Sequence, residues 1–329
     1  MVDLEKLKNV AREAVSRDDV KYLIGWRQGT FGFRVAPHFV KDPEEADELT
    51  FSPLCNTNPA TYLALRKTEK VPLPKGEEPD TRKVALMVKG CDSRAVVQQI
   101  VEQGISREDV YLIGCPCEGV VDLNKVEEKI SPELDNVEAS WDGDHIVFQL
   151  PQGEEKVKKE EVLASNCLEC RYPNPPLYDT LLWDSVEPWG NAAFEDIQEM
   201  EEKDPEEKWA FWEEKLSSCI RCYSCRNVCP MCYCEECVLG RLNPAWILRS
   251  VNEAENTAYH LSRAYHLAGR CVECGECERV CPVNIPLMKL NRKLSKEVLQ
   301  NYNYEPGIDP EAKPMQASYH PDDKEDFIL

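Results

Sequence analysis

Positive charge is scarce in this sequence, which has 39 Lys and Arg against 60 Asp and Glu and a formal net charge of -21. Nucleic acids and anionic membrane surfaces repel a chain with this charge, so we expect neither as a partner. The scarcity is not uniform, because basic residues outnumber acidic ones between Cys219 and Lys296. The acidic residues are therefore concentrated outside that segment.

Long apolar runs are also missing. No window of 18 apolar residues occurs, whereas a membrane-spanning helix needs about 20. The first residues, Met-Val-Asp-Leu-Glu-Lys, contain neither the apolar stretch of a secretory signal nor a twin arginine. These absences predict a cytoplasmic protein without a transmembrane segment, in a reducing compartment where its 17 cysteines form no disulfide scaffold.

Motifs for substrate chemistry are missing as well. The sequence contains no G-x-G-x-x-G segment, so no motif indicates a dinucleotide site. Its 5 histidines are scattered, and no acid-base pair or nucleophile stands in a recognisable pattern. Electron transfer is therefore a safer expectation than chemistry on an organic substrate.

Cysteine is abundant instead, and eight of the 17 cysteines form two runs with one spacing, C-x2-C-x2-C-x3-C-P. This spacing is typical of ferredoxins with two 4Fe-4S clusters, in which the fourth cysteine of each run is a ligand of the other cluster. The alternative, structural zinc, needs only four cysteines per ion, usually as paired C-x2-C knuckles. The doubled run therefore predicts two 4Fe-4S clusters. The expected ligands of the first are Cys219, Cys222, Cys225 and Cys281, and those of the second are Cys271, Cys274, Cys277 and Cys229.

The nine remaining cysteines predict one or two additional iron-sulfur clusters, or burial in the core. Three follow the first run so closely that we expect a further metal centre, whose fourth ligand the spacing does not identify. Five others would surround another cluster at a sheet edge, although buried cysteines are often simply packed. Cys55 is expected to pack in the core or to supply a missing ligand. The group of three is Cys232, Cys234 and Cys237, and the group of five is Cys91, Cys115, Cys117, Cys167 and Cys170.

The first half of the chain predicts an α/β domain. Apolar runs at residues 84–88 and 110–113 flank a segment with helical periodicity, from about Ser93 to Gln103. Two strands joined by such a helix form a parallel β-α-β unit. Asp92 or Ser93 is the expected N-cap of the helix. Both strands end beside cysteines, at the carboxyl edge where open α/β sheets bind ligands.

The second half predicts a mostly α-helical ferredoxin domain. Between the two cysteine runs, helical periodicity extends from Asn243 to Gly269, with Asn243 as N-cap and Pro244 as the first helical residue. The last residues are polar and have little apolar periodicity. The predicted parts are an α/β domain at 1–185, an acidic helical linker at 186–216, a helical ferredoxin domain at 217–296 and a polar C-terminal tail at 297–329.

The segments Val88-Lys89-Gly90-Cys91-Asp92 and Gly114-Cys115-Pro116-Cys117, together with a two-cluster ferredoxin, resemble the beta-subunit family of coenzyme F(420) hydrogenases and formate dehydrogenases. The resemblance implies an FAD on the α/β domain. It also implies a subunit of a cytoplasmic oxidoreductase complex of anaerobic metabolism, which passes electrons between a catalytic subunit and a soluble carrier. A helix N-terminus with two nearby cations suits the pyrophosphate of FAD. The expected flavin-binding residues are Lys89, Gly90, Asp92, Ser93 and Arg94.

A second resemblance is to the helical ferredoxin subunits of heterodisulfide reductases. Their partners carry a cysteine-rich domain that ends in C-x2-C, and the order Cys91, Cys115-x-Cys117, Cys167-x2-Cys170 is similar to it without the adjacent Cys-Cys pair. This alternative implies a flavin-free iron-sulfur relay or scaffold subunit. The two interpretations differ in whether the chain binds flavin.

Overall fold

The computed structural model describes residues 2–63, 80–130, 137–319 and 321, so the end of the predicted tail lies outside the described residues. The strands are β1 (Val20–Gln28), β2 (Val35–Val40), β3 (Leu49–Thr50), β4 (Lys83–Val88), β5 (Val110–Gly114), β6 (Glu138–Asp142), β7 (His145–Leu150), β8 (Gly153–Lys158) and β9 (Thr180–Leu181). The helices are α1 (Leu4–Val15), α2 (Gly90–Val101), α3 (Leu123–Lys129), α4 (Lys159–Val162), α5 (Ser165–Leu168), α6 (Glu195–Glu201), α7 (Pro205–Ser217), α8 (Ser224–Asn227), α9 (Glu253–His266), α10 (Glu276–Arg279) and α11 (Leu287–Tyr302). Short 3-10 turns occur at Pro43–Glu48, Arg107–Asp109 and Met315–Ala317. None of the helices in these described ranges is both long and apolar enough to cross a membrane.

The larger sheet has the strand order β2-β1-β4-β5-β9, with β3 paired to β1 as well. The pairs β1-β4, β4-β5 and β5-β9 are parallel, whereas β2 and β3 run antiparallel to β1. The side chains from Val84 to Val88 are all buried, as expected for a central strand covered on both faces. Strands β4 and β5 with helix α2 form the predicted β-α-β unit, and the α/β fold class is confirmed. The smaller sheet, β6-β7-β8, is antiparallel.

Helix α2 begins earlier than the sequence predicts. Its N-cap is Lys89, so Asp92 and Ser93 lie inside the first turn and the predicted N-cap was wrong. The Asp92 carboxylate accepts a hydrogen bond from the Lys89 backbone N-H at 2.9 Å, and the Lys89 ammonium lies 2.9 Å from the same carboxylate. Both side chains are buried. Asp92 therefore caps the helix from within the first turn, by accepting the hydrogen bond of the N-cap residue. The paired Lys89 ammonium compensates the charge of the buried carboxylate.

Helix α9 begins at Glu253, nine residues after Pro244, the predicted first helical residue, so the first part of that predicted helix was wrong. Residues 243–252 are irregular, with a cis peptide between Asn243 and Pro244. The cap is supplied by Asn252, whose side chain accepts from the backbone N-H of Glu255. Asn252 is followed by acidic residues that interact well with a helix N-terminus.

Helix α2 also joins the two halves of the chain. Gln99 donates to the Ala60 carbonyl at 3.0 Å and to the Pro230 carbonyl, next to the first cysteine run, at 2.9 Å. The backbone N-H of Gly307, in the predicted tail, donates to Gln98 at 3.0 Å. The tail therefore packs on α2 at this point. Helix α11 extends past residue 296, the predicted end of the ferredoxin domain, and ends at Tyr302. The predicted domain limits remain predictions.

Candidate iron-sulfur sites

The two cysteine runs fold into the same local structure. Each run ends in a one-turn helix, α8 or α10, whose N-cap is a left-handed residue, Tyr223 with φ 62° and Gly275 with φ 75°. Arg221 and Glu273, two residues earlier in each run, are also left-handed. These reversals turn the chain between successive cysteines, which brings thiols only three residues apart to one side of the loop. The repeat in the sequence is therefore a repeat in the structure.

Four buried or half-buried cysteines line one small cavity of about 20 Å³, which we call site II. They are Cys229, Cys271, Cys274 and Cys277. Burial raises the pKa of Cys271 to about 12 and also raises those of Cys274 and Cys277. Thiols held neutral by burial need a cation if they are to ionise, and the irons of a cluster would supply it. The donor set therefore fits a thiolate-ligated cluster.

The other four cysteines of the runs form site I, and they lie nearer the surface. Burial and the neighbouring Cys225 and Cys281 raise the pKa of Cys219. Burial, Cys281 and Cys222 likewise raise the pKa of Cys225. Cys222 itself is exposed. Site I consists of Cys219, Cys222, Cys225 and Cys281. The structure thus brings together the two sets of the crossed assignment, and their role as ligands remains a prediction.

Side chains of α9 contact the sulfur atoms of site I. His260 Nε2 lies 3.3 Å from Cys219 Sγ, and the Tyr259 hydroxyl lies 3.7 Å from Cys225 Sγ. Burial, with Arg263 and Arg221 nearby, lowers the pKa of His260 to about 4. The imidazole is therefore neutral at pH 7. Its Nδ1 is buried without a partner among the described residues.

A third group of cysteines, site III, lies at the carboxyl edge of β4 and β5. It lines a cavity of about 40 Å³. Backbone N-H groups of Gly119 and Val120 donate to the sulfurs of Cys117 and Cys167, both at 3.4 Å. Asn58 Nδ2 lines the same cavity, buried and unpartnered in the described part of the chain. Site III consists of Cys91, Cys117, Cys167 and Cys170. Donors aimed at sulfur and a spare buried donor both fit a cluster that has sulfide acceptors.

The fifth cysteine predicted for this group is elsewhere. Cys115 is fully buried in the core of the large sheet with Cys55, and its thiol lies 3.6 Å from the Ile113 carbonyl. Its backbone N-H still bonds to the Val88 carbonyl at 2.8 Å, in continuation of the β4-β5 ladder. Cys115 therefore keeps the orientation of a strand residue, whereas Cys117 has left the strand.

The three sites follow one another through the molecule. Cys274 of site II also lines the cavity of site III, beside Cys91. Similarly, Cys277 of site II packs in one buried cluster with Cys219 and Cys225 of site I. The order is therefore III, II, I, and it ends at the exposed Cys222.

The cysteines predicted to form a further metal centre border an open groove of about 810 Å³. Cys234 is exposed. A hydrogen bond from Cys232 lowers the pKa of Cys229, so Cys232 is next to site II. Cys237 borders the same groove. In the described ranges, no three His, Cys, Asp or Glu side chains converge on a position for a single metal ion.

The predicted flavin-binding residues are buried and already bonded to the protein. Besides its ion pair with Asp92, Lys89 donates to the Thr57 carbonyl at 3.1 Å. Ser93 Oγ donates to the Leu177 carbonyl at 2.7 Å. Arg94 donates to the Pro306 carbonyl at 2.9 Å and to the Val272 carbonyl at 3.3 Å. A Cβ added to Gly90 would lie 1.8 Å from the Tyr172 carbonyl oxygen, so the chain approaches the helix N-terminus closely.

Residues 215–285 match the family described as 4Fe-4S dicluster domain. Two curated relatives extend over most of the chain. The F420-dependent formate dehydrogenase subunit beta of Methanocaldococcus jannaschii is 25% identical and covers 71% of this chain and 76% of its own length. The F420-dependent formate dehydrogenase 1 subunit beta of Methanococcus maripaludis is 26% identical and covers 70% of this chain and 75% of its own length.

Two further similarities are partial. One subunit of the ion-translocating oxidoreductase complex of Buchnera aphidicola is 32% identical over 88 residues, 27% of this chain and 16% of its own length. A chain of the F420-reducing NiFe hydrogenase complex from Methanosarcina barkeri, solved with xenon, is 14% identical with a TM-score of 0.38, covering 51% of this chain and 62% of that chain. That structural likeness is too slight to carry an argument. The predicted resemblance is confirmed by the sequence matches: the chain is similar to the beta subunits of F420-dependent formate dehydrogenases, and its second half contains a 4Fe-4S dicluster domain.

Proposed function

We propose that this chain is an iron-sulfur electron-transfer subunit of an oxidoreductase complex, with 4Fe-4S clusters at sites I, II and III. The observation that carries the proposal is the row of three cysteine sites that ends at the exposed Cys222. A 4Fe-4S cluster supplies transfer of single electrons. The protein would hold such groups in sequence, keep water from the inner two by burial and present the outer one to a partner.

The partners are other subunits of the complex. The relatives are named as subunits of formate dehydrogenases that depend on F420. We infer from this a catalytic dehydrogenase or hydrogenase subunit on one side and F420 as the soluble carrier on the other, in anaerobic metabolism within the cytoplasm. Native mass measurement of material from its own source is expected to show heterologous subunits. Full turnover of a small substrate by the isolated monomer would contradict this proposal.

Anaerobically purified protein should contain about twelve iron and twelve sulfide per chain, because three sites would each hold four of each. Chemical assay of both elements tests this, with zinc measured in the same sample. About eight of each would leave only the ferredoxin pair and would remove site III from the proposal. Protein loaded with zinc and free of iron would overturn the proposal as a whole.

The binding of a flavin is a more specific part of the proposal. A soluble carrier that takes electrons in pairs needs a converter beside one-electron clusters, and FAD performs that conversion. This chemistry supports an FAD on the α/β domain, near Lys89, Gly90, Asp92, Ser93 and Arg94. Four of these residues line the site III cavity, whose volume of about 40 Å³ is far below the roughly 300–1,000 Å³ of pockets for organic ligands. An FAD at this turn would therefore have to displace the contacts of Arg94 and the chain over Gly90.

The small cavity favours a second candidate, a flavin-free relay in a heterodisulfide reductase-like complex. Flavin extracted from acid-denatured, iron-replete protein distinguishes the two, with about one flavin per chain expected for the first candidate. Iron-replete protein without flavin would contradict the first candidate and support the flavin-free relay. The anaerobic preparation is the control, because oxygen damage to clusters would otherwise be mistaken for an absence of both groups.

A further inference from the structure

Arg263 is a buried cation without a carboxylate partner. It lies on α9 with 3% of its surface exposed. One guanidinium nitrogen donates to the Cys225 carbonyl at 2.9 Å. Its Nε has no hydrogen-bond partner in the described ranges, and no carboxylate there forms an ion pair with it. Burying a guanidinium in this way is unfavourable unless some other anion compensates it.

Arg263 lies beside cysteines of both ferredoxin sites. Arg263 lines the cavity of site II, and its hydrogen bond joins it to the backbone of Cys225 in site I. Arg263 therefore lies between the two sites rather than beside one of them.

Other charged side chains near these sites are either ion-paired or lie beside one site only. Glu276 lines the site II cavity but pairs with Arg279 at 2.7 Å. Arg221, a buried arginine near site I, donates to the carbonyls of Glu255 and Leu248 at 2.7 and 2.9 Å. Its Nε also has no partner in the described ranges, but Arg221 does not line the site II cavity. Arg263 is thus distinguished by its position, because it lines the site II cavity and also bonds to the backbone of Cys225 in site I.

We propose that Arg263 is a shared counter-charge that raises the reduction potentials of both ferredoxin clusters together. A cluster with four thiolate ligands carries negative charge, and reduction makes it more negative, so a fixed nearby cation stabilises the reduced form. The cation acts on both sites because it lies between them. The inference rests on the proposed function, since it requires a cluster at each site.

The test is Arg263→Gln, which removes the charge and keeps an amide donor for the Cys225 carbonyl. Potentials of both clusters are measured by electron paramagnetic resonance during a redox titration of the intact complex. At a fixed applied potential, the ratio of reduced to oxidised form should fall at least tenfold for each cluster, equivalent to a shift of about -59 mV. Arg249→Gln removes the same charge from an exposed position and should leave both potentials unchanged.

The outcomes separate this inference from the proposed function. A shift of one cluster only, or equal shifts in the Arg263→Gln and Arg249→Gln proteins, would overturn the shared counter-charge. Wild-type protein without iron would instead overturn the proposed function. Arg263→Lys keeps the charge and should retain both clusters, with potentials closer to wild type. If Arg263→Gln fails to load iron, loading of Arg263→Lys supports the inference, because Lys keeps the positive charge that Gln lacks. If neither variant loads iron, the shape of the arginine side chain rather than its charge is required, and the inference is overturned.

Discussion

Cys229→Ala should remove the site II cluster, although Cys229 belongs to the first cysteine run. The cysteine lines the site II cavity with three residues of the second run, so we predict that it is the fourth ligand, which crosses between runs. Iron should fall by about four per chain, one third of the expected content. The reciprocal change, Cys281→Ala, should remove the same amount of iron from site I.

The measurement that identifies the crossing is a comparison of residual spectra. Cys229→Ala and Cys274→Ala should leave the same paramagnetic resonance spectrum after reduction, because both lose site II. Cys281→Ala and Cys219→Ala should share a different spectrum, because both lose site I. The comparison needs no prior assignment of either signal. It depends only on which cysteines serve one cluster.

Cys232 is the matched control for this prediction. Its backbone N-H donates to the Cys229 carbonyl at 3.0 Å, so it lies close enough to replace the missing ligand after rearrangement. Cys232→Ala alone should keep both clusters. The double variant that combines Cys229→Ala with Cys232→Ala should lose the site II cluster completely, even if Cys229→Ala alone retains part of it. If Cys229→Ala left the same spectrum as the Cys219→Ala protein, the uncrossed assignment would stand instead.

The structural features that the sequence predicts best are those determined by residues close together in the chain. The spacing of the two runs already sorts Cys281 with the first run and Cys229 with the second, and the structure groups them that way. The β-α-β unit was also predictable, because apolar runs and helical periodicity lie next to each other in the chain. The start of α9 was not, since Asn243 and Asn252 are both acceptable caps and packing chooses between them.

Contacts between distant segments were not predictable in the same way. Sequence spacing placed Cys115 and Cys117 together, but the strand ladder continues through Cys115 and ends before Cys117. The residues around site I gave a clearer signal that was missed. Asn256, Tyr259, His260 and Arg263 recur at helical spacing, and all are buried on one face of α9. A buried polar stripe of this kind indicates a charged or polar group opposite it.

Cys117→Ala should remove the site III cluster, whereas Cys115→Ala should retain it. The two cysteines are two residues apart at the end of β5, and their truncations remove the same atom. Cys117 lines the site III cavity and accepts a hydrogen bond from Gly119 at 3.4 Å. Cys115 is directed into the apolar core with Cys55. Each truncation of a buried side chain costs stability of on the order of 1 kcal/mol, so a difference between them must come from ligation.

Iron and sulfide assays on the two variants measure this difference. The Cys117→Ala protein should lose about four iron per chain and keep the spectra of sites I and II, while the Cys115→Ala protein should match wild type. Thermal unfolding of both variants in the metal-free state controls for stability, because any difference between metal-free proteins reflects packing alone. Equal iron loss in the two variants would show that site III depends on the integrity of the sheet rather than on these ligands. Wild-type iron in Cys117→Ala would place any third cluster elsewhere, because a cavity with three remaining thiolates would lack its fourth protein ligand.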